Sequence, residues 1–171
     1  MGRTGSGSTG LLIMRGNSGS GKTTGARALQ DRQLRRLSVV SQDVIRRQVL
    51  RVSDVDGNPS IDLIDQVARF SLNLGYHVVV EGTLTAARYG CMLKQLAEDH
   101  VGRSRFVRFD VPYVETVRRH ATKPNADEFG EPEMRARWLD DDGLDGVDEQ
   151  ILGSELSHRQ VVEVLAHDMP W

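Results

Sequence analysis

Gly16-Asn17-Ser18-Gly19-Ser20-Gly21-Lys22-Thr23, continued by Thr24, is the stretch on which the fold turns. Its glycines let the backbone bend tightly enough for successive N–H groups to point inward at an anion. The apolar run Leu11-Leu12-Ile13-Met14 stands just before it and has the form of a fully buried strand. After it, Ala26, Leu29, Leu34 and Leu37 recur at roughly helical spacing, predicting a helix from Thr23 to about Arg36. A glycine-rich loop between strand and helix directs its amides, and the positive end of the helix dipole, at the same ligand. A flexible Gly/Ser linker is the alternative, and those flanks argue against it. In this pattern Lys22 is placed to reach the β- and γ-phosphates of a nucleotide, and the Thr23 hydroxyl to ligate Mg²⁺.

Working outward, residues 1–9 are Gly, Ser, Thr and Arg without periodicity, which predicts a disordered leader. Leu37 to Ser41 predicts a second strand, and Asp43 to Leu50 a helix. A third helix is expected between Ser60 as N-cap and Gly75 as C-cap, with Ile61, Ile64, Val67, Ala68 and Leu72 on one stripe. Tyr76 to Val80 predicts a strand ending at Glu81, Ala86 to Asp99 a helix, and Arg105 to Asp110 a strand. Pro112 opens a helix to about Lys123. Residues 124–148, rich in charge, Gly and Pro, have the composition of a short lid. A strand near Gln150 to Leu152 and a helix from Ser157 to His167 complete a single domain over residues 10–171. Strands alternating with helices predict an α/β fold, a parallel sheet covered on both faces.

The chain's 171 residues carry a net charge of -2, so no overall basic field marks nucleic acid as an obligatory partner. No apolar run of membrane-spanning length and no secretory h-region occur, which predicts a cytoplasmic protein. The single cysteine, Cys91, excludes an internal disulfide, and its neighbours Tyr89, Gly90, Met92 and Leu93 suggest a buried, inert thiol. Nineteen arginines against three lysines is a bias associated with GC-rich bacterial genomes.

Gly16 to Thr24, Asp43 with Arg46, Glu81 and Arg119 together resemble the nucleoside-monophosphate-kinase-like group of P-loop kinases. The closest likeness is to small kinases and kinase-like ATPases related to polynucleotide 5′-kinases and zeta-toxin sugar-nucleotide kinases, over about residues 10 to 168. The resemblance implies a three-layer α/β/α P-loop fold with a five-stranded parallel sheet in the order 2-3-1-4-5. It also implies Mg-ATP as donor and a hydroxyl or phosphate of a second substrate as acceptor; the leading expectation is a hydroxyl of a small molecule, nucleoside or sugar nucleotide. A polynucleotide 5′-hydroxyl acceptor and a non-catalytic ATP-binding module remain as alternatives.

Asp43 follows the second strand, where carboxylates face the ligand crevice of open α/β sheets. On an α-helix Arg46 would share its face. The resemblance makes Asp43 the base for the acceptor hydroxyl and Arg46 the arginine that holds substrate, with Arg47 an alternative to Arg46. A plain helix cap is the other possibility for Asp43. Glu81 has the position of a Walker-B carboxylate for Mg²⁺, although related kinases often carry Asp there; an acceptor contact or a solvated strand end are the alternatives. Thr83 is a weaker substrate candidate. Arg119 and Lys123, four apart, would share a helical face toward the nucleotide phosphates, with Arg135 and Arg137 as further lid candidates. The competing expectation pairs these cations with the run Asp140-Asp141-Asp142, itself expected to be solvated lid surface.

Other motifs fail on chemistry. Asp54 to Asn58 has the start of a calcium loop, but Pro59 stands where the turn glycine belongs. Thr122-Lys123-Pro124-Asn125 lacks the final Asp of a GTPase base-reading motif, and the five histidines show no zinc-ligand spacing.

Overall fold

The computed structural model of the chain describes residues 2–33, 36–121 and 131–171. Five strands form one all-parallel sheet in the order β2-β3-β1-β4-β5, as the resemblance implied. They are β1 (Gly10–Gly16), β2 (Leu37–Ser41), β3 (His77–Glu81), β4 (Arg103–Phe109) and β5 (Glu149–Leu152). The helices are α1 (Lys22–Gln33), α2 (Ser60–Asn73), α3 (Ala86–Asp99), α4 (Tyr113–His120), α5 (Glu131–Ala136) and α6 (His158–Ala166). A π-helix spans Val44–Leu50.

The alternation of side chains along a strand explains why there are two cores. Leu11 and Ile13 of β1 pack with Val78, Val80, Ile64, Leu72 and Leu93, under α2 and α3. Leu12 and Met14 face the other way and pack with Val79, Val107, Ala26, Leu29 and Leu165, under α1 and α6. A run apolar on both faces is what a strand covered by helices on each side requires. The central position of β1 follows, and it carries the phosphate loop to the middle of the sheet's C-terminal edge.

Several expectations are corrected. Helix α1 ends at Gln33; Leu37 belongs to β2 and Leu34 lies outside the described residues. Residues 2–9 are held rather than loose. Thr4 N donates to Asp99 O at 2.9 Å and its hydroxyl to Asn73 Oδ1 at 2.9 Å, while Thr9 Oγ1 lies 2.9 Å from His100 Nε2. Hydroxyl-rich composition, which reads as solvation, here supplies the partners of a polar pocket. Cys91 is exposed, because the buried stripe of α3 runs through Tyr89, Gly90, Leu93 and Leu96 and leaves position 91 outside it. The element at Asp43 to Leu50 is a π-helix, with consequences for the site.

Candidate active site

The loop after β1 has the backbone its glycines allow. Gly16 and Gly19 adopt φ of 140° and 83°, and a Cβ would meet Phe109 O at 2.4 Å or Thr116 O at 2.7 Å. Both positions therefore combine positive φ with a close backbone approach that only glycine satisfies. Lys22 Nζ lies over the loop, donating to Gly16 O and Asn17 O, each at 2.8 Å, and to Ser20 Oγ at 3.1 Å. Arg119, on α4, donates from Nη1 to Ser20 O at 3.2 Å and is braced by Glu115 Oε1 at 2.6 Å. Hydrogen bonds from Arg118 and Arg119 hold the Glu115 carboxyl down to about 2, against the opposing effect of desolvation.

A cleft of about 770 Å³ opens beside this loop. Its lining joins Ser18 to Thr24 and Arg119 on one side to Ser41, Asp43, Gln48 and Thr83 on the other, with Glu81 between. Glu81, at the end of β3, is 2% exposed and accepts from Thr23 Oγ1 at 3.1 Å. Mg²⁺ takes oxygen ligands at about 2.0–2.1 Å in an octahedron, so two adjacent ligands stand roughly 2.9 Å apart. The Thr23 and Glu81 oxygens are already at that spacing and of that chemistry, so the residues fit the ion. Among the described residues there is no group of three His, Cys, Asp or Glu that could hold a metal alone. Nucleotide oxygens and water would have to complete the shell, the usual way Mg²⁺ is bound in such sites.

Asp43 does not cap the following helix; it has no side-chain cap bond. Its carboxylate, 69% exposed, faces the cleft and takes Arg46 Nη2 and Arg47 Nε, each at 3.3 Å. Arg46 is not in the cleft lining and also donates to Val52 O at 3.3 Å. The π-helix is the reason. In an α-helix Arg46 would lie about 60° around the axis from Asp43 and Gln48 about 140°. At about 4.4 residues per turn, Gln48 comes within about 50° and Arg46 swings to about 115°. Gln48 thus takes the cleft-facing place that an α-helix would give to Arg46.

The lid candidates stand elsewhere. Arg135 stacks over the Tyr113 ring at 4.9 Å, Arg137 is exposed, and neither lines the cleft. Lys123 lies outside the described residues. Asn17 turns away from the cleft: its Nδ2 donates to Leu139 O at 2.7 Å and its Oδ1 accepts from Leu139 N at 3.2 Å. Asp142 is not solvated surface. It pairs with Arg15 at 2.9 Å and accepts from the Ala86 N–H at the start of α3. Burial raises the Asp142 carboxyl above its ordinary range, against the opposing pull of that N–H and of Arg15.

Arg15 was not among the sequence candidates. It is fully buried at the end of β1, donating to Leu84 O, Asp142 and Glu149. A charged residue ending an otherwise apolar strand was the available signal. Gln48 carried none so long as the segment was read as an α-helix.

Comparisons with known proteins agree with this architecture. Solved structures superpose over nearly the whole chain. A protein from Chloroflexus aurantiacus has a TM-score of 0.71 and 18% identity, covering 94% of this chain and 96% of its own. A gluconokinase from Sinorhizobium meliloti has a TM-score of 0.63 and 17% identity, covering 96% and 91%. The APS kinase CysC of Mycobacterium tuberculosis, in complex with AMPPNP and APS, has a TM-score of 0.63 and 17% identity, covering 95% and 96%. No curated protein sequence matches the chain significantly. The fold is that of P-loop kinases. The AAA domain family model matches residues 11–139, three quarters of the sequence and all of the cleft's phosphate side up to Arg119, and the chain belongs to that family.

Proposed function

We propose that this protein transfers the γ-phosphate of Mg-ATP to a hydroxyl group of a small molecule, nucleoside or sugar nucleotide. One observation carries the proposal. A carboxylate, Asp43, lines the same cleft of about 770 Å³ as the phosphate loop.

Residues 16–24 and Lys22 would hold the triphosphate, with Arg119 beside the loop to offset charge on the transferring group. Thr23 and Glu81 would hold Mg²⁺, which neutralises phosphate charge when bound. Asp43 accepts the acceptor's proton as its oxygen bonds to the γ-phosphorus and the bond to the β,γ-bridging oxygen breaks, releasing ADP. Arg46 and Arg47 hold Asp43 from behind. ATP as donor is supported by the AMPPNP in the similar APS kinase, and small acceptors by the names of both similar kinases. The net charge of -2 disfavours a polynucleotide.

The test is Asp43→Asn. ATP affinity, measured by displacement of a fluorescent ATP analogue, stays within about twofold, while phosphoryl transfer falls at least about a hundredfold. Unchanged transfer removes Asp43 from its role; tight ATP binding by the wild-type protein with no transfer to any hydroxyl returns the chain to a binding module.

A further inference from the structure

Asn17 meets both backbone polar groups of a single residue in the connector between α5 and β5. Its Nδ2 donates to Leu139 O at 2.7 Å and its Oδ1 accepts from Leu139 N at 3.2 Å. An aspartate here would lack the donor and an alanine both groups, so the side-chain amide is what this pairing requires. The connector is itself anchored. Asp141 pairs with Arg108 at 3.0 Å, and Asp142 pairs with Arg15 at 2.9 Å and accepts from the Ala86 N–H. The other half of the loop rests on α4. Thr116 O lies against Gly19, where a Cβ would come within 2.7 Å, and Arg119 Nη1 donates to Ser20 O at 3.2 Å. Connector and α4 are in turn joined to each other, because the Trp138 ring stands edge-on to Tyr113, the first residue of α4, at 5.0 Å. These contacts close a ring, from Asn17 through Leu139, Trp138 and Tyr113 and along α4 to Gly19 and Ser20.

We propose that the connector and α4 act as one clamp on the phosphate loop, and that Asn17 is a positioning residue for the nucleotide. Its side chain stands outside the cleft lining and acts only through the loop backbone. The inference goes beyond the phosphotransferase reading and needs from it only that the loop binds ATP. A loop with glycine at 16, 19 and 21 has many conformations to lose when it closes around an anion. Fastening it at residue 17 from one side and at residues 19 and 20 from the other removes part of that loss before the nucleotide arrives, and so strengthens binding without touching it. Lys22 Nζ, which donates to Asn17 O at 2.8 Å, ties the fastened residue to the loop's own cation. Because the ring is closed, a cut at either joint frees the loop, and a second cut has little left to release.

The test is a double-mutant cycle on the full chain with Mg²⁺, with ATP affinity read by displacement of a fluorescent ATP analogue and folding by the melting temperature. Asn17→Ala and Trp138→Leu are each expected to raise the Kd for ATP at least about fivefold, the scale of two lost hydrogen bonds or one lost aromatic pair. The double variant binds no more than about twofold more weakly than the weaker of the two single variants. Trp138→Phe, which keeps a ring against Tyr113, stays within about twofold of the unsubstituted protein. The melting temperature of Asn17→Ala stays within about 4 °C of the unsubstituted protein, and a larger fall makes its role structural and overturns the inference. Losses that multiply in the double variant show two independent contacts, and an unchanged Kd in Asn17→Ala shows a loop that needs no fastening. Either result overturns the clamp and leaves the phosphotransferase proposal standing. Failure of the unsubstituted protein to bind ATP sinks both.

Discussion

The hydroxyl of Thr23, on the first turn of α1, donates to the Glu81 carboxylate at the end of β3, 3.1 Å away, joining the phosphate loop to the neighbouring strand. The register that pairs Met14 with Glu81 brings the two together, because it ends β1's neighbour level with the start of the loop. If this pair holds Mg²⁺, Glu81→Gln weakens the metal more than the nucleotide. The Mg²⁺ concentration for half-maximal transfer is expected to rise at least about tenfold, with affinity for metal-free ATP kept within about threefold. Titration of Mg²⁺ at fixed ATP measures both, and an unshifted Mg²⁺ midpoint assigns Glu81 to the acceptor instead.

Arg15 supports the same region from beneath. It is buried between two carboxylates, with Asp142 at 2.9 Å and Glu149 at 2.7 Å, and it also binds the carbonyl of Leu84. Removing one partner of such a cluster strands the others, at about 3–5 kcal/mol. Arg15→Met is therefore expected to lower the melting temperature by roughly 10 °C in a chain of this size. Asp141→Asn, whose carboxylate is 84% exposed in its pairing with Arg108, changes stability by less than about 0.5 kcal/mol. Thermal and urea unfolding of the two variants settle the contrast, and equal effects would mean that burial of the cluster counts for nothing.

Glu115 offers a titration. Its pKa stands at about 2 because Arg118 and Arg119 donate to the charged form, while desolvation opposes them. A depressed carboxyl contributes stability above its unfolded value near 4.5, and that contribution is lost as pH falls toward 2. The Glu115 side chain is 25% exposed and its partner Arg118 71%, so salt screens the effect and the change in stability is small. Side-chain NMR should find the midpoint well below 3.5 at low salt, moving upward in Arg118→Ala and in Arg119→Ala. Arg119→Ala also frees the loop carbonyl of Ser20 and is expected to raise the KM for ATP at least about tenfold, whereas Arg118→Ala leaves it alone.

What the sequence made legible follows from how local each feature's causes are. The phosphate loop and β1 could be read because glycine spacing and a four-residue apolar run act within about a dozen residues. Helix α3 lies over Ala86 to Asp99 as its periodicity required. Arg46 meets Asp43 as expected but is not in the cleft lining, and Gln48 is, because nothing in Val44 to Leu50 announces a π-helix, whose wider turn re-aims the side chains along it. Asp142 and Arg15 lie 127 residues apart, so composition could describe the acidic run but not its buried partner. The leader's order has the same origin: Thr4 and Thr9 are held by Asn73, Asp99 and His100, all remote in sequence.

That leader yields a prediction about pH. His100 bridges Thr9 Oγ1 and Ser104 Oγ, each at 2.9 Å, and its pKa is lowered by burial. His77, lowered by burial and then by Arg36, accepts the Gly10 N–H at Nδ1 from 3.1 Å, a bond that a protonated ring cannot accept. Both folded values lie below the unfolded value near 6.5. The stability they give is therefore complete above pH 6.5 and is lost as pH falls through the folded values. Residues 4–10 should loosen first, since their anchors surround both rings. Hydrogen exchange at the Thr4 amide, bonded to Asp99 O, and at the Val101 amide, bonded to Thr4 O, is expected to quicken at pH 5 relative to pH 7.5 after correction for intrinsic rates. A His77→Gln, His100→Gln double variant should flatten this dependence. Equal protection at both pH values in the unsubstituted protein would show that the rings stay neutral and that the leader's docking does not depend on their protonation.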